Sequence, residues 1–365
     1  MHLQKIITLL CCLVLGQVLA QDPALRFGGA IPPEVETIYE RGLAWLASTQ
    51  QESGHWQDGQ SGCGVDGMCV MAFLASGEDP NYGRYAPNIR RALRAMILDQ
   101  DGTTGYLPNS MYHHGFAMLA LSEAYGAVDD SMLWEGVAAA SNNKNSGTTA
   151  RSGRGFNSSS AVNFGGHRSI AQALDLAVRA ASTAQKKNRW GGWRYTPEST
   201  DADTSVTGAV LMGLLAARNA GMDVPDETIN AALDYIHRST GSDGSVAYSG
   251  GFGGMGESMN RSAIATLVTA VGRQKDSEQF KATLAHIASR LEHKEGNYQE
   301  YFRYYMAQAL FQGDYESWQK WNAATVRQLH DSQTADGSYP NGAYGTAMSL
   351  LALALNYRFL PIYER

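Results

Sequence analysis

The run Lys187-Asn188-Arg189-Trp190-Gly191-Gly192-Trp193-Arg194-Tyr195 separates two stretches of opposite character. Before it, Arg168 to Gln185 sets Ile170, Ala173, Leu174, Ala177, Val178 and Ala181 three and four positions apart among Arg, Asp and Gln, the pattern of a helix with one wet face. After it, Thr204 to Ala217 carries no charged residue. A helix that is apolar on every side is buried on every side. Wet helix, glycine-aromatic turn and dry helix together make a hairpin whose second arm lies inside.

The same unit recurs along the chain. Glycine-aromatic turns stand at Gly54-His55-Trp56, Gly102 to Tyr106, Gly244 to Tyr248, Gly296-Asn297-Tyr298 and Gly337-Ser338-Tyr339, at spacings of roughly 40–50 residues apart from one long gap. Wet stretches are Glu34 to Thr49, Ala86 to Asp99, Arg168 to Gln185, Pro225 to Ser239, Asp276 to His293 and Asp314 to Gln333. Dry stretches are Gly67 to Ala75, Gly115 to Tyr125, Thr204 to Ala217, Ser262 to Val271, Tyr304 to Phe311 and Gly345 to Leu355. Six wet helices alternating with six dry ones predict an all-α protein: a single (α/α)6 toroid of six helical hairpins, an inner ring wrapped by an outer one. An open superhelix of stacked hairpins is the alternative, but its helices would not divide so cleanly into dry and wet.

The long gap holds Ser141 to Gly166, rich in Asn, Ser, Gly and Thr and without apolar periodicity, which reads as a surface insertion in the third unit. At the amino end, Lys5, the apolar run Ile6 to Leu19 and the small residue Ala20 before Gln21-Asp22-Pro23 have the pattern of a secretory leader, too short to span a membrane. The expected organisation is therefore a leader over residues 1–20 and one toroid over 21–365, exported to a periplasm or the cell exterior. The whole sequence has 365 residues and a formal charge of −6, with 39 Gly, 18 Tyr and 7 Trp. A net acidic chain gives no reason to expect nucleic acid or an anionic membrane as an electrostatic partner, since both select for clustered Lys and Arg, and no later segment is long and apolar enough to cross a membrane. After leader removal the remaining cysteines are Cys63 and Cys69, which either pair in an oxidising compartment or stay as buried thiols.

A toroid places the starts of its inner helices at one rim, so residues scattered in sequence converge there. They are Cys63 and Asp66, His113 and His114, Asp201 and Asp203, Glu257 with Asn260 and Arg261, Tyr301 with Arg303, and Tyr344. Helix amino ends also offer unpaired N–H groups, so this rim suits an anionic or strongly polar ligand.

The turns from Gln50 to Trp56 and from Gln333 to Tyr339 resemble the Gln-Trp motifs of squalene and hopene cyclases and the related turns of protein prenyltransferase β subunits. Gly191-Gly192-Trp193-Arg194-Tyr195, Asp201 to Gly208, Tyr112-His113-His114-Gly115-Phe116 and Tyr344 to Met348 look still more like exported prenyltransferase/squalene-oxidase-repeat proteins. That resemblance spans nearly all of the chain beyond the leader. It implies an α/α toroid and no established reaction.

Asp201-Ala202-Asp203-Thr204-Ser205 is similar to the Asp-x-Asp-Asp-Thr-Ala segment of class II terpene cyclases, whose middle Asp delivers a proton to an alkene or epoxide. Asp203 takes that middle position, with Asp201 before it, but Thr204 and Ser205 stand where Asp and Thr should be. The plainer reading is that Asp203 caps the helix beginning at Thr204. The prenyltransferase resemblance implies zinc on Asp, Cys and His, for which Asp66, Cys63 or Cys69 and His113 or His114 are available; their spacing does not match that family, and no metal or other cofactor is expected. Gly62-Cys63-Gly64 begins like the thioester motif of complement-like toroids, but Val65 and Asp66 replace the Glu and Gln that the motif needs. Arg261 and Arg303 with Asp203 would serve a polysaccharide lyase or hydrolase. The reading favoured overall is a ligand-binding or interaction module holding a small molecule, lipid or polymer at its rim and central cavity through His113, His114, Arg261, Tyr301, Arg303 and Tyr344. A cyclase using Asp203 is the first alternative and a polysaccharide lyase or hydrolase the second.

Overall fold

The computed structural model describes residues 31–57, 60–138, 166–249 and 258–363. The expected leader, nearly all of the insertion and Glu257 lie outside these residues. Among the described residues the helices run in chain order as α1 Pro33–Thr49, α2 Cys63–Ala75, α3 Ala86–Asp99, α4 Met111–Ala124, α5 Asp130–Leu133, α6 Ile170–Gln185, α7 Thr204–Asn219, α8 Asp226–Arg238, α9 Met259–Val271, α10 Glu278–Ala288, α11 Gln299–Gly313, α12 Tyr315–Ser332 and α13 Gly342–Leu353. The single turn α5 has no counterpart in the sequence reading.

The dry helices α2, α4, α7, α9, α11 and α13 each pack on the next, and α13 packs on α2, which closes the inner ring. Every residue of α2 and of α9 is buried. The wet helices lie outside, each packed chiefly on the inner helix that precedes it in the ring (α3 on α2, α6 on α4, α8 on α7, α10 on α9, α12 on α11 and α1 on α13), and α12 meets α1 where the last unit joins the first. This is the (α/α)6 toroid that the alternation predicts. Small residues set its tightest inner contacts. A Cβ on Gly115 would stand 2.5 Å from the Ala209 carbonyl carbon, so α4 and α7 touch backbone to backbone.

Four turns share one hydrogen-bond plan built on a glutamine. Gln50 Nε2 donates to Gly54 O (2.9 Å) and to Asn88 O on the next outer helix (3.0 Å). Gln100 does the same to Gly105 O and Ala173 O, and Gln185 to Gly191 O and Thr228 O. Gln333 donates to Gly337 O and back to Ile38 O at 3.0 Å, so the plan ends by joining the last unit to the first. The turn glycine is required at each seam: Gly337 has φ +95°, and a Cβ there would meet Arg41 O at 2.4 Å. The aromatic after it reaches back, Trp56 Nε1 to Leu46 O, Trp193 Nε1 to Ala181 O and the Tyr339 hydroxyl to Leu329 O.

The dry helices begin earlier than their apolar runs suggest. Helices α2, α4, α9, α11 and α13 start three to five residues before the expected positions, so Asp66, His113, His114, Arg261, Tyr301, Arg303 and Tyr344 sit inside the first turns rather than ahead of them. Cys63 and Cys69 are both buried and are not joined in a disulfide. They share α2 six positions apart, about 9 Å along a helix axis, whereas a disulfide needs Cα atoms within about 7 Å. Of the two outcomes open in the sequence, the structure takes the one without a disulfide.

Candidate functional site

Neighbouring inner helices start side by side. Met111 N–H donates to Tyr195 O ahead of α7 (2.9 Å), and Thr204 N–H donates to Tyr248 O ahead of α9 (3.0 Å). The starts thus form one mouth, and tyrosines crowd it. Tyr112 and Phe116 of α4 face Tyr301 and Tyr304 of α11 at centroid distances of 5.8 Å and 5.8 Å. Helices α4 and α11 are not neighbours in the ring, so these rings meet across its axis. Tyr305 stacks edge-on against both Tyr301 and Tyr304, and Tyr344 lies beside Tyr112. The centre is therefore occupied at this level, and the surface offered to a ligand is the mouth above it.

Asp203 sits beneath that mouth, fully buried. Its Oδ1 accepts from the Val206 N–H at 2.8 Å, the capping role expected of it, and its Oδ2 is buried without a hydrogen-bond partner among the described residues. Burial raises its pKa to about 6, against the opposing pull of the Val206 N–H and the Arg194 guanidinium. Asp201 points outward instead and pairs with Arg194 at 3.0 Å. Arg194 in turn lies over the rings of Tyr248 (5.5 Å) and Tyr195 (6.0 Å), whose hydroxyls meet at 3.2 Å. Tyr195 is 47% exposed and Tyr298, across the mouth, is 66% exposed. Burial and the nearby Asp203 carboxyl both raise the Tyr195 phenol, so it stays a neutral donor.

The other expected residues divide. Tyr301 faces Ser205 and Tyr305 close to Asp203, and Arg261 lies near Tyr248 and Glu295, all at the mouth. Glu295 caps α9 from the next unit, accepting from Asn260 N–H (3.1 Å) and from the Ser258 hydroxyl (3.2 Å). Arg303 turns toward Glu300 and Tyr339. Neither histidine of the His113-His114 pair is free for a ligand at its acceptor nitrogen. His113 Nδ1 accepts from Gly64 N–H. His114 Nδ1 accepts from Leu107 N–H and its Nε2 donates to Ala177 O, and burial lowers its pKa to about 4, so it is a neutral structural clamp. Asp66 has the same kind of task, accepting from Trp56 N–H at 3.2 Å. Among the described residues no group of three or more His, Cys, Asp and Glu side chains converges on a metal position.

Four residues of weight escaped the sequence reading as site members: Arg194, Tyr195, Tyr248 and His55. The first three lie in connecting segments with no periodicity, and only their place beside an inner-helix start could have signalled them. His55 Nδ1 donates to Asp66 Oδ2 at 2.8 Å, and its Nε2 is 3.6 Å from Asp99 Oδ2, beside a cleft of about 230 Å³ that also touches Cys63 and Asn109. Its signal was available, since the other turns carry Tyr106, Gly192, Ser245 and Ser338 at the corresponding place.

The closed double ring with glycine turns defines an α/α toroid, and solved structures share it. An inactive variant of the α-1,6-mannanase GH76A of Salegentibacter, in complex with α-1,6-mannotetrose, is 8% identical and covers 90% of this chain and 99% of its own, with a TM-score of 0.61. A variant of the type II terpene cyclase MstE from Scytonema, in complex with its substrate geranylgeranyl dihydroxybenzoate, is 14% identical, covers 93% and 99%, and scores 0.57. The GH76 α-mannanase of Bacteroides thetaiotaomicron is 13% identical, covers 92% and 99%, and scores 0.55. At these identities the likeness is one of fold alone, the α/α toroid. No protein-family model and no curated protein matches the chain.

Proposed function

We propose that this protein is an exported binding module that takes a hydroxyl-rich ligand of the saccharide class at the tyrosine-ringed mouth. One observation carries the reading: Arg194 is fixed by Asp201 against the rings of Tyr195 and Tyr248, which presents flat aromatic faces and charged donors together at the opening. Sugars offer a C–H face for stacking and hydroxyls for charged donors, and both needs are met there. The ring contacts across the axis favour a ligand lying over the mouth rather than one threaded deep into the toroid. Two of the toroids of similar fold are mannanases, one of them described with a bound mannotetrose. Export through a leader over residues 1–20, with a single toroid over 21–365, completes the reading. Mass spectrometry of the exported protein should find a chain beginning at Gln21. Binding is tested by titrating α-1,6-mannotetrose and a panel of neutral oligosaccharides into wild type and Tyr195→Ala. Saturable heat that the variant loses supports the mouth, and equal binding by the variant refutes it.

A second reading rests on Asp203 Oδ2, buried, without a partner among the described residues, and on a carboxyl that keeps its proton up to a pH of about 6. Such a group is a competent proton donor, as a class II cyclase or an acid-assisted hydrolase requires. Incubation with squalene and shorter polyprenyl substrates, alongside Asp203→Asn, tests it: product lost in the variant supports the acid role, and product that persists removes Asp203 from it.

A further inference from the structure

Where the last unit closes on the first, at the end of the toroid opposite the mouth, the structure holds a second concavity of about 490 Å³ between α12, the start of α1 and the chain after α13. Its floor is apolar and buried: Trp318, Val326 and Leu355. The amides of Asn322 and Asn356 pair reciprocally at 2.9 and 3.2 Å and so satisfy one another. The Trp318 indole N–H, on a side chain only 5% exposed, has no acceptor among the described residues. A buried donor left unmet costs on the order of 1–3 kcal/mol, so a bound acceptor is the natural explanation.

The remaining charged groups narrow the chemistry. Arg327 and Arg358 stand at the groove against the single acid Glu34. Arg358 is held by design: its guanidinium lies over Phe311 (5.0 Å) and Tyr315 (5.9 Å), and its backbone sits at φ +59°, a left-handed conformation that glycine or asparagine adopts more cheaply. An unmet N–H donor, two guanidinium groups and an apolar floor converge on one kind of ligand. The space is many times that of a single water, whose share of liquid volume is about 30 Å³. We infer that this groove is a second binding site, independent of the mouth, for a small organic carboxylate with an apolar body. The carboxylate answers the guanidinium and indole donors and the body covers Val326 and Leu355.

Benzoate is the probe and benzamide its uncharged control. With the full chain labelled with nitrogen-15, the Trp318 indole resonance, assigned by its loss in Trp318→Phe, should move saturably with benzoate and stay in place with benzamide. Arg358→Gln and Arg327→Gln should each weaken benzoate binding by about tenfold, as expected for loss of a charge-assisted contact. Variant spectra that keep the remaining indole resonances in place show that the fold is intact. Equal shifts by benzamide, no saturation by benzoate, or unchanged affinity in both arginine variants would each overturn the assignment.

Discussion

The side-chain amide of Gln333 donates to the carbonyl oxygen of Ile38 at 3.0 Å, a bond between residues almost three hundred positions apart that joins the last hairpin to the first. The same amide also holds Gly337 O, so removing it frees two buried-side acceptors at the one seam that no chain connection spans. Gln333→Ala should therefore cost about 1–3 kcal/mol and lower the midpoint of thermal unfolding by several degrees. A midpoint equal to wild type would show that closure does not depend on this tie.

Contact between α4 and α7 depends on the missing side chain of Gly115. Gly115→Val would force a branched Cβ into the Ala209 and Val210 backbone, which neither helix can yield without parting from the ring. The expected cost exceeds about 3 kcal/mol, seen as loss of soluble protein or a large drop in the denaturant midpoint.

Asp203 should cost stability where it is ionised. Burial raises its folded pKa to about 6, above the value of an unfolded carboxyl, so the folded state keeps a proton that the unfolded chain has released. Stability from this residue falls as pH rises from about 4 to about 6. Asp203→Asn keeps a good helix cap without the charge. Its melting temperature should match wild type near pH 4 and exceed it near pH 8, by an amount worth roughly 2–3 kcal/mol. A variant less stable than wild type at pH 8 would mean that the carboxylate is compensated in a way the structure does not contain.

The His55–Asp66 pair carries the opposite kind of information, because two other units show what the turn needs without it. Thr207 and Thr346 accept from Trp193 N–H and Tyr339 N–H just as Asp66 accepts from Trp56 N–H. Asp66→Thr should thus preserve the turn while removing the partner of His55. The hydrogen bond to Asp66 raises the His55 pKa, so its stabilisation is fully present below the ordinary histidine value of about 6.5 and lost as pH rises through the raised one. Wild type should exceed the variant by more at pH 6 than at pH 9. A gap that widens toward pH 9 would contradict the pairing.

The architecture was legible because the charge pattern divides the helices. In α7 and α13 nothing charged interrupts the buried run, and in α8 Ile229, Ala232, Leu233 and Ile236 mark a single inner face. Helix starts were less legible for a physical reason. Asp66 and His114 are polar residues inside buried first turns, and the partners that offset their cost, among them turn N–H groups ten and seven positions earlier, lie outside the helix. Asp203 could be read as a cap because capping is local. Arg194, Tyr195 and Tyr248 could not be read as a cluster, since their contact joins two different units through loops.

The central claim is that ligand binding belongs to the mouth and to saccharides. Its most direct test is a neutral-glycan array probed with wild type and with the double variant Tyr195→Ala, Tyr248→Ala. The account predicts that wild type retains at least one glycan and that the variant loses it by tenfold or more while keeping its melting temperature. Wild-type protein that retains no glycan, or a variant that binds as wild type does, would contradict it.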